Sequence, residues 1–290
     1  MKKTKSFVNE IYSDDIYSLS EIFHENTKLR RTQMRKIAAK VLRISRDPVV
    51  LRAMSQSYKR YPNLARIALP NGFQNEGVDV ESAILNRRST RAFDVNRPIT
   101  IEQISKLLRY SSGITGTKEL GSGAVHNMRA APSGGGLYPL EIYPCLLNVE
   151  GASRGIYHYN VREHSLELLK EAEPDSRLAQ PPFGIHTPLE NPAALFVLTA
   201  IFKRTTFKYS DRGYRLVLIE AGHIVENLWL VATAMKLGAV ALFSFLDDEV
   251  NALLGLDGVN EAVIYAAAVG NPLPSEPLPL PAQEGAIDYD

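Results

Sequence analysis

The stretch ALFVLTAIFKRTTFKYSDRGYRLVLIEAGHIVENLWLVATAMKLGAVALFSF, residues 194–245, decides the architecture. Residues 194–202 are a short continuous apolar run, as in a strand buried on both faces. Residues 214–236 are apolar on most faces, too long for a strand, and closed by Gly238, which predicts a buried helix. Residues 239–245 return to a strand. Working outward, residues 140–149 read as a strand, and 155–160 with 165–169 alternate around a short turn as a hairpin does. Residues 247–254 read as a capped helix and 262–269 as a last strand. Upstream, VESAILNRRS is a short helix, and Thr100 with Gln103 is a capping box opening another, whose apolar stripe is Ile101, Ile104, Leu107 and Leu108. Strands and helices in this mixed order predict an α+β domain rather than a regular βαβ winding.

The flanks read differently. Residues 18–60 predict irregular helices, with Asp47 capping one that starts at Pro48. Residues 61–78 carry Pro62, Pro70, Asn71, Gly72 and Gly77 and read as a linker. Residues 1–78 are therefore expected to be a basic, mostly helical extension and linker, 79–270 the body, and 271–290 a proline-rich extended tail. Residues 111–136 are rich in Gly and Ser and read as a long loop, a feature that is usually functional.

Composition narrows the function. The 290 residues hold 33 Lys/Arg and 32 Asp/Glu, a net charge of +1, so neither a basic nucleic-acid binder nor an acidic solvating chain fits. Residues 1–70 carry 15 basic and 6 acidic residues, a net of +9; residues 71–290 carry 18 and 26, a net of −8. Such a basic front can meet an acidic partner, or be a solvated helical face. The single cysteine, Cys145, excludes an intrachain disulfide and a multi-cysteine zinc site, and reads as core. The six histidines show no metal spacing, so no metal is expected; His158 and His164 flank the hairpin turn and are expected to be exposed. The start lacks an apolar signal region and the most apolar run, 193–202, is far shorter than the roughly 20 residues of a membrane span, so a cytoplasmic protein with no membrane role is expected.

Three clusters can carry chemistry. Arg87, Arg88, Ser89, Thr90 and Arg91 offer forked donors and hydroxyls that suit a phosphate, and suit structural ion pairs about as well. In Arg129-Ala-Ala-Pro132-Ser133-Gly134-Gly135-Gly136-Leu137-Tyr138-Pro139, three glycines let backbone N–H groups approach a flat ligand, between stiffening prolines. The nearby Gly121-Ser-Gly123 lacks the third glycine and the preceding strand of a dinucleotide fingerprint. In Phe207-Lys208-Tyr209-Ser-Asp-Arg212-Gly213-Tyr214-Arg215, a lysine in a loop between buried elements can have its pKa drawn towards neutrality by desolvation and neighbouring cations, and so act as a general base; the alternative is a surface lysine.

Together and in this order, RRSTR, PSGGGLYPLEIY, GIYHY with SLELL, KYSDRGYR and EAGHIVENLWLVATAMKLGAVAL resemble the SagB-type dehydrogenases of the nitroreductase superfamily, over about residues 80–270. HENTK at 24–28 is similar to a short motif near the start of such proteins. The resemblance implies an α+β, three-layer α/β/α sandwich and a homodimer with FMN at the interface. It implies that Arg87, Arg88, Ser89 and Arg91 hold the FMN phosphate, ribityl chain and pyrimidine edge, and that Pro132, Ser133, Gly134 and Gly135 reach the flavin from the second subunit. Phe243 and Ser244 match backbone near flavin N5, at positions where the family often has glycine, which implies a narrower pocket. Lys208 and Tyr209 match a catalytic pair. The chain's end lacks the basic residues that simpler nitroreductases use on the phosphate, which leaves more to the arginines at 87–91.

The implied reaction is oxidation of a thiazoline or oxazoline in a peptide to the azole, with a cyclodehydratase as a possible partner. Lys208 takes the proton next to the peptide carbonyl, Tyr209 orients it or shuttles the proton, and hydride leaves to FMN. The rivals are an NAD(P)H-dependent nitro- or quinone reductase, an FMN-dependent dehydrogenase of another amino-acid-derived intermediate, and a scaffold subunit without turnover.

Overall fold

The computed structural model describes residues 18–55, 58–120, 123–172, 183 and 189–273; the tail expected at 271–290 lies almost wholly outside them. The N-terminal segment forms α1 (Leu19–Asn26), α2 (Arg31–Arg46) and α3 (Pro48–Ser55). Ser18 and Glu21 box the start of α1, and the Asp47 carboxylate accepts from the Val49 and Val50 amides at the start of α3, as the sequence predicts. Then come β1 (Arg66–Ala68), α4 (Val80–Asn86), β2 (Ile99–Thr100) and α5 (Ile101–Ser112). A hairpin follows, β3 (Ile114–Leu120) and β4 (Ala124–Arg129), and then a 3-10 turn at Gly134–Gly136. Next are β5 (Leu140–Leu146), β6 (Val149–Glu150), β7 (Gly155–Asn160), β8 (Ser165–Glu171) and β9 (Ala194–Ile201). The chain continues through α6 (Lys203–Tyr209), α7 (Arg212–Ala234), β10 (Gly238–Leu242), α8 (Asp247–Leu254) and β11 (Glu261–Gly270).

Seven strands make one sheet in the order β1-β8-β7-β5-β9-β11-β10, and each neighbouring pair is antiparallel. Both faces are covered, so alternate side chains enter two different cores. On one face Ile142, Phe196, Leu198 and Val269 pack with Leu107 and Leu108 of α5 and Val217, Ile224 and Leu228 of α7. On the other Tyr143, Leu195, Val197 and Ala268 pack with Val250 and Leu254 of α8. This is the expected α+β fold with helices on both sides of the sheet.

Two local expectations need correction. The long loop at 111–136 is mostly the β3–β4 hairpin, whose half-exposed residues lack an apolar alternation. The linker at 61–78 contains β1, which pairs with the edge strand β8 through Arg66, Ile67 and Ala68. By length and composition α7 could span a bilayer, a candidate the search for apolar runs passed over, but its buried residues belong to the core.

His158 and His164 are not exposed; they are 0% and 6% exposed. β1 and residues 58–61 cover this end of the sheet, so both rings are enclosed. His164 is bonded by Ser105 (2.8 Å) and Tyr159 (2.9 Å). His158 bridges Glu141 (3.0 Å) and Glu167 (2.9 Å), and Arg204 of α6 pairs with the other Glu141 oxygen. Burial alone would depress the His158 pKa, but the bonds to both carboxylates raise it above the ordinary value, which favours the imidazolium form. Burial works against Glu141 too, yet Arg204 and His158 hold its pKa down at about 2. Removing the imidazole would leave two buried carboxylates without the cation between them. His158→Ala is expected to cost about 3–5 kcal/mol of stability, read as a lower urea midpoint; an unchanged midpoint would show that the ring does not bind this network together.

Candidate active site

The site is built where β9 hands over to α6 and α7. Lys208 sits in the last turn of α6, not in a loop. The helix was hidden because KRTTFKY has little apolar periodicity; it is fixed by tertiary contacts instead. Arg204, one turn before Lys208, is tied to Glu141 and donates to the Tyr138 carbonyl at 3.2 Å. Ser210, at φ +51°, turns the chain out of α6. Gly213 lets α7 pack close: a Cβ there would lie 3.1 Å from the backbone of Thr205 and Thr206. The HENTK segment grips the same corner, since the buried Thr27 hydroxyl accepts from Arg215 Nε at 2.7 Å and its carbonyl from Arg212 at 3.1 Å.

These contacts aim Lys208 and Tyr209 at the glycine turn. A Cβ on Gly135 would lie 2.5 Å from the Tyr209 hydroxyl and 3.0 Å from Lys208 Nζ, and Gly135 has φ +73°. Only glycine meets both demands. Lys208 is 9% exposed, and among the described residues no carboxylate pairs with it. Burial lowers its pKa and raises that of Tyr209. The expected help from Arg204, Arg212 and Arg215 is not what lowers it: these guanidiniums are engaged by Glu141, Thr27 and the His24 carbonyl, and desolvation is the cause.

Ser133 anchors the turn. Its hydroxyl accepts from the Tyr138 amide at 2.9 Å and lies near enough to the carboxyl of Glu220 on α7 to lower that group's pKa. Glu220 is 4% exposed, and burial lifts its pKa to about 7 against the opposing pull of Ser133 and Arg129. In the sequence Glu220 shows only as a lone carboxylate on a helix face with Val217, Ala221 and Ile224. Gly134 lies against Leu216, where a Cβ would be 3.0 Å from Cδ1.

The arginine cluster lies elsewhere in the chain. Ser89 bridges to Ala239 of β10, and Thr90 donates its amide to the Ala239 carbonyl. The Arg87 guanidinium stacks 4.3 Å from the Trp229 ring, and Trp229 Nε1 donates to the Arg88 carbonyl at 3.3 Å. Arg91 fixes the strand edge through its carbonyl, which accepts from Glu190. Phe243, 81% exposed, and Ser244 follow β10, and the Ser244 hydroxyl is buried without a partner among the described residues. The structure thus brings Ser133, Gly134 and Gly135 to Lys208 and Tyr209, with Pro132 at the start of the turn. It groups Arg87 to Arg91 with the start of β10. Trp229 is nine residues beyond Glu220 and thirteen beyond Leu216 on α7. The two groups are therefore roughly 14–20 Å apart along the helix axis.

The Nitroreductase family pattern matches residues 84–271, more than half of the chain. The protein belongs to the nitroreductase family. Three relatives sharpen this. The Methanocaldococcus jannaschii protein MJ1384, itself assigned to the nitroreductases, is 32% identical over 179 residues, covering 62% of this chain and 85% of its own. The trifolitoxin-processing protein TfxB of Rhizobium leguminosarum is 30% identical over 59% of this chain, and the microcin B17-processing protein McbC of Escherichia coli 34% identical over 44%. The chain spans 47% and 49% of the length of the latter two. The fold also matches a chain of the E. coli microcin synthetase McbBCD complex at a TM-score of 0.53, with 24% identity, 89% of this chain and 98% of that one covered. The 30–34% identity to TfxB and McbC supports the resemblance of these motifs to the SagB-type dehydrogenases.

The Gly135 contact can be tested against Gly123, which shares a positive φ of 72° but has open space where a Cβ would go. Gly135→Ala and Gly123→Ala should each cost about 1–3 kcal/mol from backbone strain, and Gly135→Ala alone should also displace the Tyr209 hydroxyl and the Lys208 amine, which are side-chain ends free to move. Thermal melts check the strain, and a Lys208 titration unchanged by Gly135→Ala would mean that the glycine turn does not position the pair.

Proposed function

We propose that the protein is an FMN-dependent dehydrogenase that oxidises azoline rings of a peptide to azoles. The observation that carries this is the buried, unpaired Lys208 amine held with Tyr209 against the Gly135 backbone. A family of oxidoreductases, two relatives that process peptide antibiotics and a lysine suited to proton abstraction point to the same chemistry.

The chain's groups fit a flavin. The Ser244 hydroxyl is buried and free of partners, the Arg87 and Arg88 side chains make no salt bridge among the described residues, and Gly135 leaves a surface without a side chain. Arg87, Arg88, Ser89 and Arg91 would hold the phosphate end, and Pro132, Ser133, Gly134 and Gly135, with Phe243 and Ser244, the ring system. When bound, FMN would supply the acceptor for the hydride, which carries both electrons of the oxidation. Lys208, whose pKa desolvation lowers, removes the proton beside the peptide carbonyl in its neutral form; Tyr209 orients the amine, and the packed glycine turn excludes water from it.

A homodimer completes the site in this reading, with the arginine cluster of one copy facing the glycine turn of the other. α7 presents an uncovered stripe containing Leu218 (44% exposed), Ile219 (55%), Gly222, His223 and Glu226. Glycine on an exposed helix face costs about 1 kcal/mol relative to alanine, and a Cβ at Gly222 would meet nothing within 4 Å. Close approach of a second helix explains its use. The substrate is a peptide, and a cyclodehydratase that makes the azoline is the matching partner.

The protein should release FMN, not FAD, on denaturation. Single-turnover flavin reduction by an azoline peptide should fall about 100- to 10,000-fold in Lys208→Ala with flavin content unchanged, and less in Tyr209→Phe. The wild-type rate should rise with pH to a plateau as the amine loses its proton, at a midpoint below the usual lysine value of about 10.4. Wild-type reduction in Lys208→Ala, or rapid reduction by NAD(P)H alone, would overturn the assignment. Ile219→Asp should convert a dimer to a monomer in light scattering and lose flavin with it; a monomer that keeps its flavin would rule out the shared site.

A further inference from the structure

Helix α3 is flanked by three adjoining cavities. One, about 340 Å3, lies between α3, the β3–β4 hairpin and the β7–β8 turn, and presents Arg52, Tyr58, Asn127 and Arg162. A second, about 330 Å3, shares Arg52 with the first and shares Val49 and Ala53 with a third. The third, about 380 Å3, opens between α3 and α6 and is mostly apolar, with Val50, Met54, Leu137, Ile201 and Phe207; Lys203 and Arg204 also line it, the latter paired with Glu141. The shared residues make these one furrow, cationic at one end and apolar at the other.

The cationic end has no internal counterion. Among the described residues neither Arg52 nor Arg162 makes a salt bridge. The Tyr58 ring lies 5.7 Å from the Arg129 guanidinium and 5.9 Å from that of Arg162, and its hydroxyl accepts from Asn127 Nδ2 at 2.8 Å, which fixes the pocket floor. Residues 28–60 contain eleven Lys or Arg and one acid, Asp47, whose carboxylate is committed to capping α3. An occupant must therefore bring its own negative charge. The apolar end touches the catalytic elements: Leu137 follows the glycine turn, and Phe207 precedes Lys208.

We propose that this furrow binds a segment of the peptide substrate, with an apolar side chain between α3 and α6 and a carboxylate on Arg52 and Arg162. Paired guanidiniums give the carboxylate charge-assisted, forked hydrogen bonds, and the apolar cavity supplies the anchor. The two subsites flank α3, and a helix with its side chains is about 10–12 Å across, which an extended peptide covers in about four residues. The acid and the apolar residue are thus separated by about three others. The inference rests on the peptide-modifying reading above, and it adds a sequence preference that places the reactive ring at Lys208.

The probe is fluorescein-labelled Leu-Gly-Gly-Gly-Asp with an amidated end, titrated into the full-length, flavin-loaded protein and followed by anisotropy. Binding should saturate, weaken with added salt, and weaken about tenfold, equal to about 1.4 kcal/mol, when the probe's Asp is replaced by Asn. Arg162→Ala and Ala53→Trp should each weaken it similarly, with wild-type flavin content and melting temperature as the check on folding. Equal binding of the Asp and Asn probes, unaltered binding by both variants, or no saturation overturns the proposal. So does a change of mass in light scattering for either variant, which would mark the furrow as a contact between copies. The assay needs no turnover: a protein that binds the probe as described but does not oxidise azolines keeps this site and loses the proposed reaction.

Discussion

A backbone with no side chain at Gly135 allows the Lys208 amine and the Tyr209 hydroxyl to close on the glycine turn, and the surrounding structure is arranged around that approach. From one side, Ser133 and Glu220 fix the turn to α7. From the other, Arg204 ties α6 to Glu141, and Glu141 is held in turn by His158, whose other ring nitrogen bonds Glu167 in the middle of the sheet. The amine is therefore positioned by a chain of charges that runs into the core, and its pKa is lowered by the burial that this packing creates. A lysine on a flexible surface loop would keep its ordinary pKa and its water.

Helix α7 connects this half of the site to the other. Its first turns hold Leu216 and Glu220 against the glycine turn, and its last turns hold Trp229 against Arg87 and Arg88. A rigid helix keeps the two groups apart within one chain, too far for both to touch the same end of one ligand. In the proposed dimer, a twofold arrangement of two α7 helices would bring the arginine end of each copy towards the glycine turn of the other. The exposed Ile219 and the open space at Gly222 suit that arrangement.

The body of the fold was legible in the sequence wherever burial imposes a period. Strands β5, β7, β8, β9 and β11 and helices α5 and α7 were found within a few residues because their apolar positions follow one core. Strands β1, β3 and β4 were missed: β1 is a three-residue edge segment, and ITGTKEL and AVHNMR are half-exposed and carry no alternation. His158 and His164 were misjudged because their place beside a turn says nothing of the β1 segment that covers them. The chemistry of the Lys-Tyr pair and the glycine turn was visible as motifs, and the structure adds that they touch within one chain. The burial of Glu220 and the furrow along α3 depend on elements distant in sequence, so no local pattern announces them.

The central claim is that each flavin site takes its arginine cluster from one copy and its glycine turn from the other. Mixed dimers test it most directly, made from Arg88→Glu subunits and Gly135→Val subunits carrying different affinity tags and isolated through both. Each variant alone should be empty of flavin. In the mixed dimer, one site has both defects and the other has none, so flavin should return to half of the sites. Mixed dimers that form but stay empty would mean that both groups serve the same copy, and would contradict the shared site.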